Sequence, residues 1–302
     1  MKKRAVSFLL ASLAVVSFIL PALATEEPAG VVETPPAVEE AEPNPILLDG
    51  EPLSVEYEVR SGTTYVTVAS FVSAVDPEVV VDEEDGVVTV SSAVVEQIVD
   101  DEENTANVEQ ETLSMTVSLE IPYILANGRY LYAQDSVIML NDCVAAPLRI
   151  LAKVFNLTAA YDSETQAILL TRGETGEAYI QPGEAYYDDD ALFWLSRIIY
   201  AESGNQSLDG KIAVGNVVMN RVNNPLFPDN IYDVLNQKNQ FSPASTLSKR
   251  TPNSESELAA KMVLDGAQVV PNALFFARAG LSCYASKNRP YVTTIGAHAF
   301  YA

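Results

Sequence analysis

Histidine is almost missing from this chain: one residue, His298, in 302. Cysteine is nearly as scarce, with only Cys143 and Cys283, and tryptophan occurs once, as Trp194. One imidazole and two distant thiols leave no zinc-type ligand set, and no loop has the Asp/Asn/Gly spacing of a calcium site, so no metal or other cofactor is expected. Two cysteines cannot make a disulfide scaffold. The options for Cys143 and Cys283 are two buried free thiols or one bridge between them. Beyond the first two dozen residues no apolar run is long enough to cross a bilayer.

What is present begins with Met1-Lys2-Lys3-Arg4, a mostly apolar run from Ala5 to Leu20, and Pro21-Ala22-Leu23-Ala24. A basic start, a short apolar core and an A-x-A ending are the parts of a secretory signal peptide, read here as residues 1–24; an uncleaved anchor is the alternative. No cysteine follows the apolar run, which argues against a lipoprotein. The expectation is an exported chain, secreted or held at a cell wall or spore envelope, with no membrane contact after cleavage.

The net charge of −23 is unevenly spread. Residues 187–302 balance ten acidic against ten basic side chains and the signal segment carries +3, which leaves −26 on residues 25–186. An acidic front excludes nucleic acid, which needs cationic contacts, and suits a soluble extracellular spacer.

Residues 25–45 are rich in Pro and Glu and lack aromatics, the composition of an extended linker. An internal echo follows. Ile46-Leu47-Leu48-Asp49-Gly50 matches Ile124-Leu125-Ala126-Asn127-Gly128, a strand running into an Asp-Gly or Asn-Gly turn. Each copy continues as strand, short helix, strand, polar turn, strand, with helices near Val68–Val75 and Pro147–Phe155 and closing strands that include Val87–Val90 and Ala167–Thr171. This double unit, residues 46–172, resembles the copper amine oxidase N-terminal-like domain, most clearly in "NGRYLYAQDSVIMLNDCVAAPLRILAKVFNLTAAYDSETQAILLT". The resemblance implies a small α+β stalk that spaces the chain from the wall or contacts the wall or a partner protein. It carries over no copper site, because residues 25–186 contain no histidine. A Gly- and Pro-containing segment, residues 173–187, reads as a second linker.

Residues 188–302 hold three helix patterns. In "LFWLSRIIYAESGNQ", Leu192, Leu195, Ile198 and Ile199 recur at helical spacing, and Glu202 falls on the same buried face. Asp188-Asp189-Asp190 supplies an N-cap and negative charge where the macrodipole favours it. Ser203-Gly204 is the stop, with Gly204 expected in the left-handed conformation. The second helix runs from Leu208 to Val222 and the third from Ser254 to Val270. The remainder reads as loops.

"RIIYAESGNQSLDGKIAVGNVVMNRV", "FPDNIYDVLNQKNQFSPA", "ALFFA" and "IGAHAFY" stand in one order that resembles the SleB/CwlJ cell-wall hydrolases, the spore cortex-lytic type. The resemblance implies a mainly α, lysozyme-like catalytic domain acting on peptidoglycan glycan strands, with the Tyr-Ala-Glu glutamate at Glu202. Asp209 stands where a glutamate is common, and Ala277-Arg278 departs from the residues usual after Phe-Phe. The residue chemistry points the same way. A general acid for glycosidic cleavage must keep its proton near neutral pH, and an apolar wall, with Ile198, Tyr200 and Trp194 as candidates, helps it to do so.

Most glycosidases need a second carboxylate. Asp209, Asp229 and Asp233 each sit at a helix or turn start, where negative charge is favourable anyway. One acid suffices if the substrate supplies its own nucleophile, so lytic transglycosylation is the favoured expectation. Hydrolysis by a positioned water and a non-enzymatic peptidoglycan-binding protein are the rivals. An amidase or peptidase would need a zinc set or a Cys/His pair. Candidate substrate contacts are Gln240, Phe241 and Ser242, together with Asn220, His298 and Tyr301; Asn216 and Asn220 read either as contacts to N-acetyl groups or as ties from the second helix to a loop. Phe275 and Phe276 read as core.

Overall fold

A computed structural model describes residues 45–92, 112–174, 176–238, 241 and 244–302. The expected signal peptide and nearly all of the first linker lie outside the described residues. Pro43–Ala302 form one compact unit. Among the described residues no helix is long and apolar enough to cross a membrane.

The front of this unit is β-rich. Its first half runs β1 (Ile46–Leu48), β2 (Glu51–Pro52), β3 (Tyr57–Arg60), β4 (Thr63–Thr67), α1 (Val68–Val75), β5 (Val79–Glu84) and β6 (Val87–Ser92). After β7 (Ser114–Ser118), the second half repeats the order as β8 (Tyr123–Ala126), β9 (Arg129–Tyr132), β10 (Ile138–Leu140), β11 (Cys143–Pro147), α2 (Leu148–Val154), β12 (Leu157–Asp162) and β13 (Ala167–Arg172). The echoed turns behave alike: Asp49 and Gly50 both have positive φ (52° and 91°), as do Asn127 and Gly128 (48° and 74°). That is the pair of left-handed residues a two-residue hairpin turn requires. In α1, Val68, Phe71, Val72 and Val75 are buried, an i, i+3, i+4, i+7 stripe that seats the helix on the core.

The halves exchange hairpins. β4 pairs with β11 at the centre, giving the order β10-β11-β4-β3. The β1–β2 hairpin of the first half joins β12-β13 of the second, with β1 and β13 parallel. Reciprocally, the β8–β9 hairpin of the second half completes β5-β6 of the first, with β7 intercalated. Neither half could close its core alone.

The C-terminal region is helical around α4 (Asp189–Ser203), α5 (Leu208–Val222) and α8 (Ser254–Leu264), with short helices α3 (Gly183–Tyr186), α6 (Ile231–Asn236), α7 (Ala244–Leu247) and α9 (Tyr284–Asn288). Asp188 caps α4 by accepting from the Ala191 amide at 2.8 Å, as its sequence suggests. The central helix, α5, is buried on nearly every face from Gly210 to Val218. Gly215 marks the point where three helices meet: a Cβ there would lie 2.8 Å from Val263 on α8 and 3.0 Å from Ile199 on α4.

Three sequence expectations need correction. Gly204 is right-handed (φ −55°, ψ −25°); glycine fits there because a Cβ would stand 2.6 Å from the Tyr200 carbonyl oxygen. The third helix ends at Leu264 rather than Val270, since Asp265 is held by distant partners and Gly266 takes φ +95°. The last 28 residues are not all loop. β14 (Phe275–Arg278), β15 (Tyr291–Ile295) and β16 (His298–Tyr301) form a sheet in the order β14-β16-β15, seated on α5 through buried Phe300.

The two regions are clamped together. Arg129 on β9 and Asp265 after α8 form a buried ion pair, with side-chain exposures of 5% and 0%. Arg129 Nε donates at 2.9 Å, and a second Arg129 nitrogen and the Tyr187 hydroxyl donate to the same carboxylate. Lys153 Nζ donates to the Asp265 carbonyl oxygen at 2.7 Å, and Tyr132 donates to Asp209 at 2.7 Å. Burial, then these acceptors, hold the Tyr187 and Tyr132 phenols far above their usual range. Within the segment expected to be a linker, Ile180 and Tyr187 are buried.

Candidate active site

Glu202 occupies the last turn of α4, half-buried rather than buried. Its neighbour Ser203 is fully buried and donates to the Ile199 carbonyl at 2.7 Å, closing the helix. The chain then crosses four residues to Ser207, which caps α5 by accepting from Gly210. Lys211, only 1% exposed, reaches back to the Gln206 carbonyl at 2.5 Å and out to Glu255 at 2.8 Å.

Opposite this turn stands the β15–β16 hairpin. Gln206 Oε1 accepts from the Ala297 amide at 2.9 Å, which holds the hairpin tip to the end of α4. The next residue is His298. The Glu202 carboxylate is close enough to favour its charged form, but burial is the stronger influence and pushes the imidazole below its ordinary range. Among the described residues, His298 Nδ1 is buried without a hydrogen-bond partner.

The wall beside His298 is aromatic, and it comes from β14, β16 and the loop before α7 rather than from α4. Phe276 meets His298 edge-on at 5.2 Å, Phe300 lies 6.3 Å away, and Phe241 packs on Phe276 at 6.2 Å. Buried Arg221 donates to the Leu274 carbonyl at 2.7 Å and lies over Phe241 at 4.9 Å; burial pushes its pKa down to about 10. Phe276, Arg221 and Gln206 were not among the sequence-derived candidates. The signal for Phe276 was strand alternation in Phe275–Arg278, which turns Phe275 toward Phe227 and Phe276 toward His298. Trp194, an expected wall residue, lies two helical turns before Glu202 and packs instead on Phe193 and Tyr232.

Other candidates are dispersed. Asn220 donates to the carbonyls of Val270 and Ala273, both at 3.0 Å, so its amide ties α5 to the loop before β14. Asn216 ties the same loop by donating to the Ala267 carbonyl and accepting from the Val269 and Val270 amides. Tyr301 is buried on the face of β16 opposite His298, against Tyr291 and Ala285. Gln240 and Ser242 lie outside the described residues. The candidate second carboxylates are engaged elsewhere: Asp209 by Tyr132, and Asp229 and Asp233 by the Asn230 amide at 3.3 and 2.8 Å. Cys143 and Cys283 are free and half-buried. Among the described residues no group of three or more His, Cys, Asp and Glu side chains converges.

A groove of about 460 Å³ lies on the front region between β3 and β12, lined by Tyr57, Val59, Arg149 and Tyr161 among others; neither Glu202 nor His298 borders it.

Residues 205–301 match the family model described as Cell Wall Hydrolase, a segment that starts just after Glu202 and contains Phe241, Phe276 and His298. Residues 47–170 match the model described as Copper amine oxidase N-terminal domain. That segment has no histidine and a single thiol, Cys143, so its residues do not fit a copper site. The chain is 27% identical over 118 residues to a spore cortex-lytic enzyme of Halalkalibacterium halodurans, covering 38% of this chain and 36% of the relative. It is 26% identical over 116 residues to a spore cortex-lytic enzyme of Oceanobacillus iheyensis, covering 38% and 42%. The chain therefore spans about two fifths of the curated relatives it matches. Among solved structures, the catalytic domain of Bacillus cereus SleB aligns at 25% identity and TM-score 0.36, over 38% of this chain and 92% of that one. The catalytic domain of the germination-specific lytic transglycosylase SleB from Bacillus anthracis aligns at 25% identity and TM-score 0.36, over 41% and 100%.

Proposed function

We propose that this protein is an exported enzyme that cuts the glycan strands of peptidoglycan between N-acetylmuramic acid and N-acetylglucosamine, as a lytic transglycosylase on a lysozyme-like domain. The match of residues 205–301 to the cell wall hydrolase family and the cortex-lytic relatives support the substrate class. The reading is supported by one observation: Glu202 is the carboxylate whose charge acts on His298, the residue ringed by Phe276 and Phe300, while Asp209, Asp229 and Asp233 are each hydrogen-bonded elsewhere.

With one carboxyl group, the chemistry closes as follows. Glu202 gives its proton to the glycosidic oxygen as that oxygen leaves C1 of N-acetylmuramic acid. The resulting carboxylate takes the proton of the C6 hydroxyl on the same sugar, and O6 bonds to C1 to give a 1,6-anhydro end. Proton and bond counts balance, no water is consumed, and the intramolecular attack needs no second base. Phe276 and Phe241, both partly exposed, supply flat apolar area for a sugar face beside His298. The β-rich region spaces this site from the wall or contacts the wall.

The test is mass spectrometry of fragments released from purified peptidoglycan by the full chain and by Glu202→Gln. Anhydromuramic ends from the parent and none from the variant support the proposal. Reducing muramic ends mean hydrolysis, and the absence of fragments from cortex and vegetative wall alike means a binding protein.

A further inference from the structure

Gln206 is gripped from three sides, and the chemistry above makes no use of it. Its amide donates to the Ser203 carbonyl at 2.8 Å, at the end of α4. From the α5 side, its carbonyl accepts from buried Lys211, and a Cβ on Gly210 would stand 2.9 Å from its own Cβ. On the hairpin side, Oε1 accepts from Ala297, while Nε2 donates to Asn205 Oδ1 at 3.1 Å and so fixes which end of the amide faces the hairpin. The turn approaches so closely that a Cβ on Gly296 would fall 2.3 Å from Oε1, and Gly296 also has φ +55°. Glycine is required there twice over.

Gln206 lies four residues after Glu202, and its partner Ala297 immediately precedes His298. Farther along β16, Phe300 anchors the strand in the core, and the Ala279 amide donates to the Ala297 carbonyl at 2.8 Å, which ties the tip to the end of β14, whereas Gln206 ties it to the turn after α4. We propose that Gln206 is a positioning residue: it locks the His298 hairpin to the turn that ends in Glu202 and sets the geometry between the two side chains. The proposal rests on the functional reading only for its consequence in catalysis. A displacement of about 1 Å at such a pair can cost on the order of a hundredfold in rate.

His298 is the only histidine, so a chain labelled with ¹³C-histidine gives one imidazole signal. The charged groups near that ring are Glu202 on α4 and Arg278, its register partner on β14. The experiment follows the titration midpoint of this signal in the full chain, in Glu202→Gln, in Gln206→Ala and in the double variant. Removing the Glu202 charge should lower the midpoint while Gln206 is present, and the same change should have less than half that effect once Gln206 is alanine. On peptidoglycan, Gln206→Ala should lower kcat by about tenfold to a hundredfold with little change in KM. An undiminished Glu202 effect on His298 in the alanine background overturns the proposal, even if stability has fallen. Gln206→Asn, which keeps the amide but draws its oxygen back by one methylene, gives the same comparison if the alanine variant does not fold. A chain that releases no wall fragments refutes the enzymatic reading, while the histidine titration still decides the role of Gln206.

Discussion

Replacing Asp265 by alanine tests whether the β-rich front is part of the folded unit or only a spacer. The carboxylate is fully buried, and its removal leaves the Arg129 guanidinium, itself nearly inaccessible, against the Tyr186 ring at 3.3 Å. Breaking a buried ion pair from one side costs about 3–5 kcal/mol, because the remaining charge stays desolvated. The Tyr187 hydroxyl loses its acceptor at the same time. Set against a total stability of roughly 5–15 kcal/mol, this is a large fraction. The Lys153 bond to the main-chain oxygen survives, while its 3.5 Å contact with the carboxylate is lost. Urea unfolding can be followed by Trp194 fluorescence, which reports the C-terminal helices around α4 and α6, and by far-ultraviolet dichroism, which also sees the front strands. In the parent the two probes should coincide. In Asp265→Ala they should separate, with a loss of about 3–5 kcal/mol at the weaker transition. Arg129→Met with Asp265→Leu removes both charges and should recover most of that loss. A cost below about 1 kcal/mol with coincident probes, or a double variant as unstable as the single one, would refute the reasoning.

Three further outcomes follow from other parts of the molecule. Gly215→Ala should destabilise by roughly 1–2 kcal/mol in thermal melts, because overpacking against Val263 and Ile199 outweighs the gain in helix propensity, and adding Val263→Ala should relieve it. The His298 imidazole is pushed below its ordinary value near 6.5, so the unfolded chain binds its proton first. Its contribution to stability is complete above the unfolded value and is lost as pH falls through that value toward the folded one; His298→Gln should flatten this part of a pH–stability curve. At the start of α9 the Ser286 backbone N–H and hydroxyl lower the Cys283 thiol, so iodoacetamide should label Cys283 faster than Cys143, as read by peptide mass spectrometry.

The elements that were legible are those whose cause is local. Val68–Val75 and Leu208–Val222 match their periodic patterns to the residue, and the Asp188 cap lies where its side chain suggests. What stayed hidden depends on partners far along the chain. The end of α8 is set by Arg129, 136 residues earlier, which draws Asp265 out of helical continuation. Asn220 reads in the sequence as a sugar contact or a tie to a loop, and only the carbonyls 50 and 53 residues away identify the loop that its amide holds. The β14–β16 sheet was missed because its strands are four or five residues long, interrupted by a turn, a short helix and a bulge near Tyr291. The place of Glu202 in the last turn of α4 was legible because the start and the end of that helix are both written locally. The meeting of Phe276 with His298 was not, since it is made through the pairing of β14 with β16.

The duplication in the front region also accounts for which of its copies meets the C-terminal region. Each half lends a hairpin to the sheet of the other, so two equivalent hairpins exist, β1–β2 and β8–β9. After the turn the first reads Glu51-Pro52-Leu53-Ser54 and the second Arg129-Tyr130-Leu131-Tyr132. Both keep the inward leucine that the shared fold needs, and they differ at the positions on either side. Arg129 pairs with Asp265, Tyr130 lies under Lys261 at 5.4 Å, and Tyr132 reaches Asp209. Glu51 would repel Asp265, Pro52 has no amide to donate to the Tyr187 oxygen as Tyr130 does, and Ser54 is too short to reach Asp209. One backbone plan thus yields one adhesive and one inert surface, separated by three side chains. Two of the three positions meet the end of α8, and the third, Tyr132, reaches Asp209 in the first turn of α5, the helix that begins two residues after Gln206, so the front region also braces the turn between α4 and α5.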